Sequence, residues 1–341
     1  MANLKSTTID DTGFLQLPSG TTAQRPQSPT AGEIRFNTDT KVCEWYDDQL
    51  DSWFPTGVVP PVATGGDTVE DVDIDGVTYR IHSFTTVGSS DFTITRGGSV
   101  DYLIVAGGGS GQDRHGGAGG AGGVLLGITT VSSGLHTITV GAGGTHNGQT
   151  GNQQDIGENG SNSSAFHLTA IGGGRGGHWN PDQGVPGFPG GSGGAAPRFR
   201  DNVSQPGGQG TPGQGNNGAS PTGPTERYVP GGGGAGSPGQ TNTQLRPGDG
   251  GTGVSSSISS TTQFYAGGGG GGAYLPPENN FAQGGLGGGG CYTQQPLTTS
   301  QVDAESNTGG GGGAAYYPSG GGDNRGGSGG SGIVIIRYRI S

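Results

Sequence analysis

The alternation of apolar and polar positions changes character along the chain. Over residues 1–60 the apolar residues come as short alternating pairs between turn signals. Leu15 and Leu17 precede Pro18-Ser19-Gly20. Ile34 and Phe36 are followed by a polar turn at 37–41, and Val42, Glu44 and Tyr46 run on from it. This is the pattern of short strands joined by a hairpin. Beyond a PVATGG linker at 61–66, Val72 and Ile74 lie before Asp75-Gly76, and Val77, Tyr79 and Ile81 lie after it. Two alternating runs around Asp-Gly predict a β-hairpin. Phe92-Thr93-Ile94-Thr95 predicts one further strand.

From residue 100 the alternation stops. VDYLIVA is a continuous apolar run leading into Gly107-Gly108-Gly109, and at the far end GGSGIVIIRYRIS leads from glycines into a second one. Each is short enough for a buried strand. The strands 100–106 and 333–340 bracket everything glycine-rich, and they are expected to pair and close a domain. Weaker strands are expected at 123–128, 135–140 and 166–171. After residue 171 glycine tracts at 172–177, 190–194, 231–236, 267–272, 284–290, 309–313 and 326–332 alternate with dissimilar loops. Their spacing is irregular, which excludes a solenoid of identical units and a collagen-like Gly-X-Y repeat.

Composition sharpens the problem. The chain holds 82 Gly and 21 Pro in 341 residues, about 30%, a level typical of low-complexity chains. Only 27% of residues are hydrophobic and 12% charged, too few apolar side chains for an ordinary core throughout and too few charges for disorder by repulsion. Main-chain groups must then do the ordering. Extended glycine helices without Cβ atoms can approach on all sides and exchange N–H···O=C bonds. The expected fold is mainly β with polyglycine II helices: a small N-terminal β module (1–60), a β-hairpin connector (61–99) and a glycine-rich helical lattice (100–341) closed by its terminal strands. In such a lattice Gly270→Val would clash with the neighbouring rod. If the rods run up and down, loops 273–283 and 314–325 share one end and 291–308 lies at the other.

The net charge is −11, and the 15 Lys and Arg form no cluster, so nucleic-acid binding is not expected. Cys43 and Cys291 are too few and too far apart for a disulfide framework and read as free thiols. The opening MANLKSTTIDDTGF has no apolar stretch of signal-peptide length, and no segment is long and apolar enough to insert in a membrane. Asp71-x-Asp73-x-Asp75-Gly76 imitates a calcium loop, but its twelfth position is His82 and strand patterns flank it. The histidines (His82, His115, His136, His146, His167, His178) show no metal-ligand spacing. No metal, cofactor or catalytic constellation is expected, and the chain reads as non-enzymatic.

The aromatics are the remaining chemistry. Trp45, Trp53 and Phe54 are many for so small a module and are candidates for attachment or oligomer contacts. Trp179, Phe188, Phe199, Tyr228, Tyr274, Phe281, Tyr292, Tyr316 and Tyr317 sit in the loops between glycine tracts. Such rings either cover the ends of the glycine segments or offer stacking surface for sugars and proteins. His178, Trp179, Tyr274, Phe281, Tyr292, Tyr316 and Tyr317 are the receptor-contact candidates.

Two sets of motifs carry a resemblance. LPSGTTAQRP…AGEIRFNTDT…EWYD resembles the N-terminal segment of tailed-bacteriophage structural proteins, especially those of cyanobacterial phages. YLIVAGGG, ITVGAGG, AIGGG, AGGGGGG, NTGGGGG and GGSGIVIIRY resemble the glycine-rich domain of phage fibres and adhesins. The resemblance implies a virion protein, a homotrimer, that docks to other virion proteins through residues 1–60. It also implies loops that meet a host surface glycan or an outer-membrane protein. The alternative is a purely structural head fibre or capsid decoration protein with no receptor.

Overall fold

The computed structural model describes residues 16–57, 60–113, 115–146, 156–178, 184–198, 204–222, 227–273, 281–291, 302–315 and 325–340. The N-terminal module is one four-stranded sheet, in the order β1 (Ser19–Gly20), β2 (Ile34–Asn37), β3 (Val42–Asp47), β4 (Ser52–Pro55), with a 3-10 turn at Thr22–Gln24. Its polar centre is Glu44, buried and bonded by Arg25 and Asn37. Burial raises the Glu44 pKa, but the Arg25 and Asn37 bonds and the Arg25 and Arg35 charges hold it below the usual value.

The strands that follow are β5 (Val62–Gly65), β6 (Thr68–Ile74), β7 (Val77–Phe84), β8 (Gly88–Arg96), β9 (Gly98–Val105), β10 (Val124–Val131), β11 (Gly134–Val140), β12 (Ser163–Ala165), β13 (Leu168–Ala170), β14 (Val254–Ser256), β15 (Gln263–Tyr265) and β16 (Ile333–Arg339). They make two five-stranded sheets, β10-β9-β16-β7-β6 and β13-β12-β11-β8-β5, and the β14-β15 hairpin. The sheets face each other across a core of Phe84, Phe92, Ile94, Val100, Ile104, Ile138, Val334 and Ile336. Residues 61–99, read from the sequence as a connector, supply four of these strands and are built into both sheets.

The two continuous apolar runs lie side by side, with Val105 opposite Ile333 and Leu103 opposite Ile335. Their lack of alternation has a direct cause. Ile104, Val334 and Ile336 face the inter-sheet core, while Leu103, Val105, Ile333 and Ile335 are covered on the other face by Ile258 and Tyr265 of the hairpin region. A strand buried on both faces has no polar positions to alternate with. The β6–β7 hairpin turns at Asp75-Gly76, where both residues have positive φ (54° and 78°), as a two-residue primed turn requires.

Polyglycine II helices, expected from the glycine tracts, are not seen among the described residues. Over the described residues the chain is all-β, with 33% in strands and 1% helical, and the sheets form no closed barrel. The glycine segments carry neither helix nor strand along the described residues. Successive N–H groups turn to different neighbours: Gly107 donates to Ser161 O, Gly108 to Gly330 O and Gly109 to Gly120 O, at 2.9–3.0 Å. Such bonds cross-link individual points of several segments instead of building one repeating helix.

Candidate functional site

The direction of the chain through the glycine region defines two ends. At one, which we call the base, the segments leave and re-enter the sheets: Ala106 N–H donates to Gly123 O, Gly123 N–H to Ile171 O and Gly332 N–H to Gly141 O. The N-terminal module also lies on the base side. Val62 pairs with Arg96 at the sheet end remote from the glycine segments. Arg96 there forms an ion pair with Asp47 of the module at 2.5 Å and donates to Pro60 O.

At the opposite end the residues flanking every interruption of the described glycine region come together. Gln112 N–H donates to Gly117 O, Gly117 N–H to Gly177 O, Arg198 N–H to His115 O, Ala315 N–H to Gln112 O and Gly313 N–H to Val302 O. Tyr228 bridges to Ala273. The main-chain bonds join the flanks of five interruptions, and the Tyr228–Ala273 bridge joins those of two more.

The expected loop partition does not hold. Gln283 and Gly290 both lie against Gly270, because 284–290 turns back at 286–288 and Gly289 N–H donates to Gly285 O. The excursion after 291 therefore starts from the same end as those after 273 and 315. Positive φ at Gly287 and Gly288 makes the turn, and a glycine run gives no side-chain sign of where it bends.

The far end is tied by charge. Asp303 accepts both Arg325 Nη atoms, at 3.0 and 2.7 Å, and the Ser328 N–H. Asp113 accepts the Gly326 N–H at 2.9 Å and meets His146 Nε2 at 3.1 Å. His146 N–H in turn donates to Ser328 Oγ. Arg246 pairs with Asp249, which also accepts the Gln283 N–H at 2.8 Å. Phe281 packs on Tyr228 and Ala273. On another side the Arg175 guanidinium lies over the Phe188 ring, 3.7 Å from its centroid, with His178 near enough for its pKa to be lowered first by burial and then by the Arg175 charge.

Of the receptor-contact candidates, His178 and Phe281 are half-buried at this end. Trp179, Tyr274, Tyr292, Tyr316 and Tyr317 lie outside the described residues. The module aromatics turn inward: Phe54 is fully buried and Trp53 nearly so, tilted against Tyr46 and beside Arg35, while Trp45 is half-buried against Phe54. Asp71 pairs with Arg80 across the β6–β7 hairpin, and Asp73 accepts the Gly76 N–H, so these carboxylates serve the turn. His82 is buried between Gly65 O and Tyr338 OH. Among the described residues no group of three His, Cys, Asp or Glu could hold a metal. Sequence reading passed over Arg175, Asp113, Asp303 and Arg325. The available signal was that Arg175 and Arg325 are isolated cations inside glycine tracts.

A family model described as a glycine-rich domain matches residues 85–339, well over half of the chain. The chain belongs to this family. The match to the glycine-rich domain begins after β7, yet β5, β6 and β7 complete its two sheets. Comparison with curated proteins gives no match.

Proposed function

We propose that this glycine-rich-domain protein is a non-enzymatic bacteriophage fibre or adhesin. In this reading residues 1–60 bind other virion proteins, three copies assemble, and the loop-bearing end meets the host surface. The observation that carries it is polarity: the module whose sequence resembles phage structural proteins lies at one end, and the excursions of the glycine region start from the other. Loops on a scaffold are where recognition residues concentrate. A scaffold cross-linked by main chain places no demand on what those loops contain.

Incubation of the purified protein with a panel of cyanobacterial cell envelopes, with mass photometry of its oligomeric state, tests the reading. Sedimentation of the protein with at least one envelope, lost on deletion within 274–280 or 316–324 but not within 1–15, is the expected result. A protein that binds no envelope, yet labels the capsid of purified particles, would instead fit the decoration role.

A further inference from the structure

Arg175 differs from the half-buried arginines that hold an ion pair. Arg25, Arg80, Arg96, Arg325 and Arg337 each pair with a carboxylate. Among the described residues the Arg175 guanidinium has no hydrogen-bond partner, and its Nη1 is shut off from water without an acceptor. Burial alone accounts for the lowering of its pKa, so no carboxylate of the described chain offsets its charge. His178 Nδ1 is likewise buried without a partner, and its neighbouring charge is again Arg175. These two buried nitrogens, on a chain of net charge −11, leave polar capacity that no group among the described residues satisfies.

The geometry around the guanidinium explains what would satisfy it. Its face is taken by Phe188 at 3.7 Å; cation–π stacking fixes the plane and leaves the in-plane N–H donors unused. Main-chain bonds hold both partners, with Phe188 N–H donating to Arg175 O at 3.1 Å and Arg175 N–H to Asn159 Oδ1 at 2.9 Å. A flat fork of donors immobilised by stacking matches a planar two-oxygen acceptor. We propose that Arg175, His178 and Phe188 form a site for the carboxylate of an acidic sugar in a surface glycan. This inference rests on the adhesin reading and names the chemistry that the loop-bearing end would recognise.

The test is binding of polygalacturonate, dextran sulfate and neutral dextran to the full chain by titration calorimetry, for wild type, Arg175→Gln, Arg175→Lys and Phe188→Leu. An acidic protein repels polyanions at long range, so uptake of polygalacturonate must come from a local site. Wild type should bind polygalacturonate, and Arg175→Gln should weaken it roughly tenfold or more, as loss of a charged fork does. Arg175→Lys should lose nearly as much, because it keeps the charge without the fork, and Phe188→Leu should fall between. The melting temperature of Arg175→Gln should stay near wild type, since no hydrogen bond is lost. Equal binding by wild type and Arg175→Lys, equal binding of dextran sulfate, or binding of neutral dextran alone would each overturn the site. The envelope assay separates the two readings. Envelope binding that is the same in wild type and Arg175→Gln removes this site and leaves the adhesin, whereas polygalacturonate binding without envelope binding removes the adhesin and leaves the site.

Discussion

A single methyl group at Gly108 tests whether main-chain packing holds the glycine region together. Gly108 donates to Gly330 O at 2.9 Å and its carbonyl accepts from Gly144 N–H at 2.8 Å. A Cβ there would overlap the Gly310 carbonyl, with the carbonyl carbon 2.5 Å away, where ordinary contact begins at 3.4 Å. The Gly310 segment must move by roughly 1 Å to restore ordinary contact. It cannot do so freely, because Gly310 O also accepts the Gly330 N–H at 2.8 Å. Overpacking costs about 1–3 kcal/mol, and a buried main-chain group left without its partner about 1–3 kcal/mol more. The sum, about 2–6 kcal/mol, is a large share of a typical folding free energy of about 5–15 kcal/mol. Calorimetric melting of Gly108→Ala should therefore show a loss of roughly 3–8 °C. Two further positions grade the effect. Gly270→Ala meets Gln283 O at 2.9 Å and should cost less; Gly127→Ala on β10 meets the tip of the Tyr102 side chain at 3.0 Å, which can swing away, and should melt close to wild type. If Gly108→Ala melted within a degree of Gly127→Ala, the interior described here would not exist.

Two other perturbations probe the sandwich and the module. His82 is buried, and burial lowers its pKa despite the bond to Gly65 O; the unfolded chain takes up its proton first, so stability is full above about pH 6.5 and falls as pH drops below it. Melting temperature should decline from pH 7 to 5, and His82→Asn should flatten part of that decline while His178, shifted the same way, keeps the rest; an unchanged slope would show that His82 titrates normally. Arg96→Ala would strand Asp47, whose side chain is 1% exposed, at a cost of about 3–5 kcal/mol, and limited proteolysis should then cut near 56–61 sooner than in wild type; equal cleavage rates would show that the pair does not hold the module.

The strands were readable where side chains mark the two faces of the chain. Ile34 and Phe36 before the 37–41 turn gave the β2–β3 hairpin, with Ile34 opposite Trp45, and Asp75-Gly76 gave β6–β7. The unbroken runs YLIVA and IVII could be read as buried strands because both faces lose their polar positions together. That β5–β8 divide between both sheets was not readable, since strand periodicity carries no information on partners. Within the glycine segments the signal vanishes: a residue without a side chain has no inner and outer position, so neither the bend at 286–288 nor the conformation of the tracts can be taken from their spacing. The charged ties were hidden for a different reason. Asp113 is 213 residues from Gly326, whose N–H it accepts, and Arg325 is 22 residues from Asp303; only the return of each segment to the same end brings them together.

The same property that hides the tracts explains how one scaffold can carry unlike loops. A side-chain core couples each position to its neighbours by shape, and a change of volume is felt through the packing. Here the groups that meet are N–H and C=O, which every residue but proline carries, and the requirement on the sequence is the absence of a Cβ at points such as Gly108, Gly285 and Gly329, where it would strike a neighbouring carbonyl. Side chains enter this interior at a few points, such as the Ala118, Ala195, Val229 and Ala314 cluster and the buried Gln112, whose Oε1 accepts the Gly157 N–H. In the proposed adhesin, contacts with the host would then vary apart from the main-chain bonds that hold the fold, and the Arg325–Asp303 ion pair is a place where a side-chain tie joins the two.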